Sequence, residues 1–514
     1  AVLPSRFPGW YHAAQAAAFA VEGSQPIGGG SDDSRSRQPR RTHLVKRAVS
    51  RSIIITSACL VFASCSDSAE RLVGEGLIAI EGGTLIDGTG APPSPNAAIV
   101  LSGDSILRVG SVGDFRYPPS AEVVDASGMF VLPGFVDMHV HPRVGAEAET
   151  LRMLVAFGVT TIRIPGVGFE SPDSTGIALR EATARGSLVG PRIFTGAKII
   201  EGPTKSFPDD VEVTTEEEMR AEVRRQAALG VDLVKLYWNT PVHFIRAAVE
   251  EAHALDLQVI GHLRQSSWSE AARAGIDGLA HSGWDGPTWE LVAPSEQAAL
   301  RALPYGENYQ RFRETVDLDA PEFDSLAAAL IEHEVTVDPT LVIIQSLYYG
   351  DDLSILERLE PEAASPSIHA TWGDGWESAN PRTMTAPQAL AEGKVIWPIA
   401  TEIVRRLHES GVNVAAGTDV GMPWITPGVS FHRELELLVE AGIPEVAVIL
   451  IATRNGARGL GKEDLLGIIA PGLSADLVLL RQDPLIRIQN TRSIEAVYLR
   501  GQRYDPRALL SDLR

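Results

Sequence analysis

From Gly76 to about Leu132, apolar residues come in short β-type runs. Leu77–Ile80, Ala97–Leu101, Ser105–Val109 and Glu122–Val124 are each bounded by Gly, Asp, Pro or Ser. The C-terminal stretch repeats this habit in Asp476–Leu480 and Glu495–Leu499. Two β-rich ends around a long middle predict a small sheet built from both ends of the chain. Between about residues 133 and 466 the pattern changes. Strand-like runs such as Gly158–Arg163 and Val231–Leu236 alternate with helical stretches over Thr215–Leu229, Val242–Ala254, Trp268–Ala274, Phe323–Glu334 and Ile403–Ser410. Repeated β-then-α units of this length predict an α/β fold, a (β/α)8 TIM-like barrel, whose chemistry sits at the C-terminal ends of its strands. A doubly wound sheet is the rival, weakened because no G-x-G-x-x-G opens a helix after the first strand. The expected division is an upstream segment and signal over 1–64, a β-sandwich domain over 65–132 and 467–514, and the barrel over 133–466.

The N-terminal segment reads differently. Lys46, Arg47 and Arg51 precede an apolar run, Ser52–Ala63, too short to span a bilayer comfortably. It ends in Phe62-Ala63-Ser64-Cys65, which resembles a bacterial lipoprotein signal, with Phe62 where Leu is usual. That reading makes Cys65 a lipid anchor and the first residue of an exported chain, periplasmic or held at the membrane. A buried helix of the fold is the other reading. No Met precedes Met129, so a non-Met start codon near Val45 is expected. Arg40-Arg41 faintly resembles a twin-arginine signal, at a long distance from the apolar run.

Composition narrows the function classes. With 514 residues, 44% of them hydrophobic and 22% charged, the chain is neither low-complexity nor largely disordered. Its 45 Lys+Arg against 66 Asp+Glu give −21, which disfavours nucleic acid and anionic lipid as partners. A small-molecule substrate is expected, with membrane contact only through the lipid anchor and association into a homo-oligomer left open. Cys59 and Cys65 are the only cysteines, which excludes a disulfide framework and a thiolate metal site deeper in the chain.

Chemistry concentrates in Val131-Leu-Pro-Gly-Phe-Val-Asp-Met-His-Val-His-Pro142. In an extended strand, residues i and i+2 share a face, so His139 and His141 project together. Two neutral imidazoles on one face are half of a site for zinc or its relatives. Further along, Lys235, His262, His281 and Asp419 each close an apolar run before loop-like sequence. Any one of them alone is a satisfied structural residue. Together with the histidine pair they mark the strand ends of one barrel mouth.

At this point the chain resembles the amidohydrolase superfamily, metal-dependent hydrolases on a distorted TIM barrel, in its prolidase and imidazolonepropionase-like branch. The resemblance covers about residues 76–508. It runs through Gly82–Gly90, Pro133–His141, Gly158–Thr161, the Lys235, His262 and His281 strand ends, Gly417–Asp419, Glu434–Leu438 and Pro471–Leu479. It implies two divalent metal ions, zinc foremost with manganese or cobalt as alternatives. His139, His141 and Asp419 would hold one and His262 and His281 the other, bridged by a carboxylated Lys235. A salt bridge on the barrel rim is the bland reading of Lys235 and would leave a mononuclear site.

The implied reaction is hydrolysis of a C–N bond, amide or peptide-like, by a metal-activated hydroxide, with Asp419 as general base and then acid. Tyr237, two residues past Lys235, is either a donor to the developing oxyanion or a packed ring. His432 is a candidate pocket or second-layer residue, against a plain helix N-terminal histidine. Arg163 and Arg264 are candidates for a substrate carboxylate, against internal salt bridges. The long segments 282–322 and 342–400 are rich in Trp and Tyr and are expected to shape the substrate pocket. A mononuclear deaminase or cyclic-amide hydrolase is the second enzymatic reading, disfavoured by Gln265 where many deaminases have Glu. Lactone or phosphotriester cleavage stays open, and a lipoprotein binding scaffold is the non-enzymatic alternative.

Overall fold

The structure is a computed structural model that describes residues 69–167, 171–282, 287–302, 307–372, 387–511 and 513. The expected signal and its Cys65 lie outside them. Among the described residues no helix is long and apolar enough to cross a membrane.

Both ends of the chain feed one sheet. Leu77–Leu85 pairs antiparallel with Ser94–Ser102 and parallel with Glu122–Asp125 and Phe130–Pro133. Phe130–Pro133 in turn takes Leu477–Leu480 from the C-terminal stretch as an antiparallel neighbour, and Ile494–Leu499 pairs beyond that. Alternating residues bury a shared apolar layer that includes Ile80, Ile99, Leu101, Val131, Leu477, Leu479 and Tyr498. Gly134 alone separates Phe130–Pro133 from the next strand, Phe135–Asp137. A Cβ at Gly134 would lie 2.0 Å from Thr160 Oγ1, so only glycine lets the chain pass from one sheet to the other here. That crossing aims the following residues, His139 and His141.

Among the described residues ten parallel strands carry the middle of the chain, two of them the two-residue strands Ile200–Glu201 and Val211–Glu212 on the edge beside Leu233–Leu236. Phe135–Asp137, Val159–Ile164 and Arg192–Thr195 pair in that order. Leu233–Leu236, Gln258–Gly261, Gly278–Ala280, Thr336–Asp338 and Asn413–Val414 follow in a second sheet. Backbone bonds run between the two groups at both sides: Asp232 N donates to Thr195 O at 2.8 Å, and Met138 N donates to Ala416 O at 2.9 Å. Val159–Ile164 and Leu233–Leu236 are buried throughout, as parallel strands covered on both faces must be.

Helices separate successive strands, and local sequence sets their limits. Thr215 accepts from Glu218 N and Gly230 turns left-handed at φ 87°, so the helix between them spans Glu216–Leu229. Ser267 and Glu270 form a reciprocal capping box for Trp268–Arg273. The predicted helix over Phe323–Glu334 lies at Pro321–Glu332, because Pro321 fits the first helical turn and Glu334 sits at φ 54°. The stretch over Ile403–Ser410 is the last part of a longer helix, Pro387–Glu409.

Candidate metal centre

Each candidate ligand stands at or just past the end of a parallel strand. His139 and His141 follow Phe135–Asp137, Lys235 lies in Leu233–Leu236, His262 follows Gln258–Gly261, and His281 follows Gly278–Ala280. Asp419 comes from the segment after Asn413–Val414. That segment is zipped to the histidine arm: Asp419 N donates to His139 O at 2.8 Å and His141 N to Val420 O at 2.6 Å. Asp137 tightens the joint, accepting from Thr418 Oγ1 at 2.7 Å and from the backbone N of both His139 and Thr418 at 3.1 Å. Gly417 permits the close approach, since a Cβ there would lie 3.2 Å from His139 Cβ and 3.3 Å from Asp338 Cβ.

The four imidazoles form a row. Ring centroids are 5.1 Å apart for His141–His139, 4.6 Å for His139–His281 and 4.4 Å for His281–His262. At one end Asp419 Oδ1 lies 3.5 Å from His141 Nε2 and 3.8 Å from His139 Nε2. The donor atoms of His139, His141 and Asp419 all fall within 4.8 Å of one another, a group that could hold a metal ion. His262 and His281 lie alongside this group and are not members of it.

Partners on the far ring nitrogens decide what each histidine can offer. His139 Nδ1 is 2.6 Å from Asp338 Oδ2, and His141 Nδ1 is 2.7 Å from Gly166 O. An Nδ1–H donated to each oxygen leaves both Nε2 lone pairs facing Asp419. His281 Nδ1 is 2.6 Å from Thr340 Oγ1. His262 differs, because Trp238 Nε1 donates to its Nε2 at 3.1 Å.

Burial sets the charges. Desolvation holds His139, His262 and His281 well below the usual histidine range and brings His141 down to about 3. Neutral imidazoles are the form that binds metal. Burial also lowers Lys235 to about 8, against the pull of Asp338 and Asp419. Its charge acts on all four histidines. Lys235 is 2% exposed, and its Nζ has no hydrogen-bond partner. Asp419 is pushed up to about 7 by burial, with Lys235 and Arg143 pulling the other way.

The chain matches the model of the amidohydrolase family over residues 130–283 and 377–503, more than half of its length. The chain belongs to the amidohydrolase family. It is therefore a hydrolase acting on C–N bonds, from a family that is generally metal-dependent. An imidazolonepropionase of Streptomyces griseus is 24% identical over 430 residues, covering 82% of this chain and 95% of that protein. Among solved structures, a Xaa-Pro dipeptidase with bound methionine shares 22% identity at a TM-score of 0.61, over 84% of this chain and all of the other. A putative prolidase from Bifidobacterium longum shares 23% at 0.62, over 85% and 99%. These likenesses imply a TIM-barrel fold with an additional domain.

In this amidohydrolase two sequence candidates take the plainer of the two readings left open for them. Arg163 was a candidate for a substrate carboxylate, but it is fully buried, with Nη2 2.7 Å from Asp338 Oδ1 and Nε donating to Met138 O at 2.9 Å. It braces the histidine arm from inside, as the internal salt bridge that was its other reading. His432 was a candidate pocket residue, yet its ring nitrogens meet Thr491 Oγ1 at 2.9 Å and Phe157 O at 3.1 Å. Its ring edge packs on Phe135, at the start of the strand whose far end leads to His139. It belongs to the opposite end of the parallel strands.

Tyr237 stands beside the row, edge-on to His262 at 4.8 Å and stacked on Trp238 at 5.3 Å, with Phe207 against its ring at 5.7 Å. The Arg264 guanidinium lies 5.8 Å over Trp238, and its charge reaches His262. Of the long aromatic segments, Trp372 stacks with Trp424 and Tyr349 packs edge-on against Trp397. Trp284, Tyr305 and Trp376 lie outside the described residues. Sequence reading missed Asp338, Thr340 and Trp238, which hold three of the four histidines. For Asp338 a signal existed, since it ends the apolar run Val335-Thr-Val as Lys235 ends its own.

Proposed function

We propose that this amidohydrolase cleaves an amide or peptide-like bond in a small substrate with two divalent ions, zinc foremost. His139, His141 and Asp419 would hold one, His262 and His281 the other, and a carboxylated Lys235 would join them. The observation that carries this reading is Lys235 itself: a buried amine with no partner, lowered to about 8, amid four neutral imidazoles. An ammonium repels cations, whereas a carbamate on the same nitrogen offers two anionic oxygens. The donor set fits such ions, with Nε2 lone pairs of His139 and His141 turned to the Asp419 carboxylate. Bound there, two ions would polarise the scissile carbonyl and acidify water towards neutrality.

The rest falls to the protein. Asp419 takes the proton of the attacking water and passes it to the leaving nitrogen. Tyr237, beside His262, donates to the oxygen on which charge develops. Arg264 over Trp238 meets a carboxylate on the substrate, and Phe207, Tyr237 and Trp238 wall an apolar or ring-bearing group. Backbone bonds at both sides of the two parallel sheets support closure into a (β/α)8 barrel over 133–466. The shared sheet supports a sandwich domain from both ends, over 65–132 and 467–514. Export as a lipoprotein anchored at Cys65 belongs to the same proposal and rests on the signal-like sequence.

The test is a screen of N-acyl amino acids and dipeptides with metal-loaded protein. We expect one amine released per bond cleaved, with Tyr237→Phe lowering kcat about 100-fold and moving KM little. No hydrolysis of any amide by protein holding two ions contradicts the reading. A cyclic amide is the second substrate class, favoured by the imidazolonepropionase relatives, and a ring-opened product in the same screen would select it.

A further inference from the structure

We propose that the turn Asp338-Pro339-Thr340, pinned by Glu434, is a positioning device that fixes the tautomer of one histidine from each ligand group, His139 and His281. It rests on the two-group reading above. The turn ends the strand Thr336–Asp338 and enters the helix Leu341–Tyr348 through Thr340 at φ 48°. Asp338 Oδ2 meets His139 Nδ1 at 2.6 Å, while Oδ1 is engaged by Arg163 Nη2 at 2.7 Å, so the carboxylate cannot rotate. Two residues later Thr340 Oγ1 meets His281 Nδ1 at 2.6 Å. The backbone repeats the clamp, with His281 N donating to Asp338 O at 2.9 Å and Ser282 N to Pro339 O at 3.2 Å.

The turn is held from outside. Glu434 accepts from Leu341 N at 3.0 Å and Val342 N at 2.7 Å, two amides of the first helical turn that have no intrahelical partner. Asp338, Thr340 and Glu434 are all fully buried, so water does not substitute for any of them. A histidine whose Nδ1 carries the proton presents Nε2 as its lone pair, and an acceptor at Nδ1 makes that choice before any ion arrives: the Asp338 carboxylate can only accept, and the Thr340 hydroxyl, able to donate or accept, takes the accepting role at His281 in this arrangement. One tripeptide therefore prepares a ligand of each group, and Glu434 couples the two.

The tautomers can be read without metal, by long-range 1H–15N spectra of the full chain labelled with 15N-histidine and stripped by chelator. Wild type is expected to show Nδ1–H at both His139 and His281. In Asp338→Asn, Arg163 keeps the amide oxygen, so the NH2 group turns to His139 and its proton moves to Nε2, with His281 unchanged. Thr340→Val is expected to convert His281 to a mixture and leave His139 alone, while Thr340→Ser keeps wild-type spectra. Glu434→Gln faces one helix amide with its own NH2, and both rings respond. Reconstitution with Co2+ alone should then show losses of about 10–100-fold in affinity for Asp338→Asn and Thr340→Val, and near-normal affinity for Thr340→Ser. His281 remaining wholly Nδ1–H in Thr340→Val, or His139 unchanged in Asp338→Asn, overturns the proposal. Wild type taking up one Co2+ contradicts the two-ion reading instead, and the spectra still decide the clamp.

Discussion

Asp419→Asn is expected to lower kcat about 1,000-fold or more with the fold intact. Removing a positioned general base costs roughly 100–10,000-fold by itself, and in the proposed mechanism this carboxylate is also the anionic ligand beside His139 and His141. The fold should survive for a backbone reason. Asp419 sits at φ 61°, a left-handed conformation that asparagine adopts more readily than most residues. The N–H of residue 419 still donates to His139 O, and the Asp137–Thr418 joint does not involve the lost oxygens. Steady-state kinetics of the reconstituted variant, beside a thermal melt, measure both parts. Activity near that of wild type contradicts the role given to Asp419.

Lys235→Met should have the second-largest effect and a revealing stability change. The variant keeps the volume, removes the amine, and is expected to hold at most one ion and lose at least about 1,000-fold in kcat/KM. Without metal and CO2, it should be more stable than wild type at neutral pH, by on the order of 1 kcal/mol, since a buried ammonium without a hydrogen bond is gone. The sign follows from the lowered pKa. Below about 8 both folded and unfolded lysines are charged, so the burial cost is fully present. As pH rises from about 8 to the ordinary lysine value of 10.5, the unfolded chain binds more protons and wild type gains stability. The advantage of methionine must therefore shrink across that window. Urea unfolding at pH 7 and pH 10.5 tests it, and an advantage that grows with pH contradicts an unpaired amine at this position.

Much of the centre was legible because a polar residue that stops an apolar strand run has few uses other than the mouth of a barrel. Lys235, His262, His281 and Asp419 all carry that mark, and the structure sets them beside His139 and His141. Asp338 carries the same mark, closing Val335-Thr-Val before Pro339, and was legible on the same ground. Thr340, by contrast, was hidden. The helix it opens, Leu341–Tyr348, is buried on every side, so no amphipathic period announces it. His432 misled because nearness to Asp419 in the chain says nothing about which end of the strands a following helix packs against. For Arg163 the pattern left a substrate contact and an internal salt bridge equally open, and the bonds to Met138 O and Asp338 select the internal one. The bond from Trp238 to His262 joins neighbouring strands and leaves no trace in local pattern.

The central claim, that these six side chains gather a pair of ions, is tested most directly by an anomalous-scattering map of crystals grown with zinc. The account predicts two peaks about 3.5–4 Å apart, one beside His139, His141 and Asp419 and one beside His262 and His281, with carbamate density on Lys235 between them. No peak in this row of imidazoles, or a single peak with a bare Lys235 amine, would contradict it.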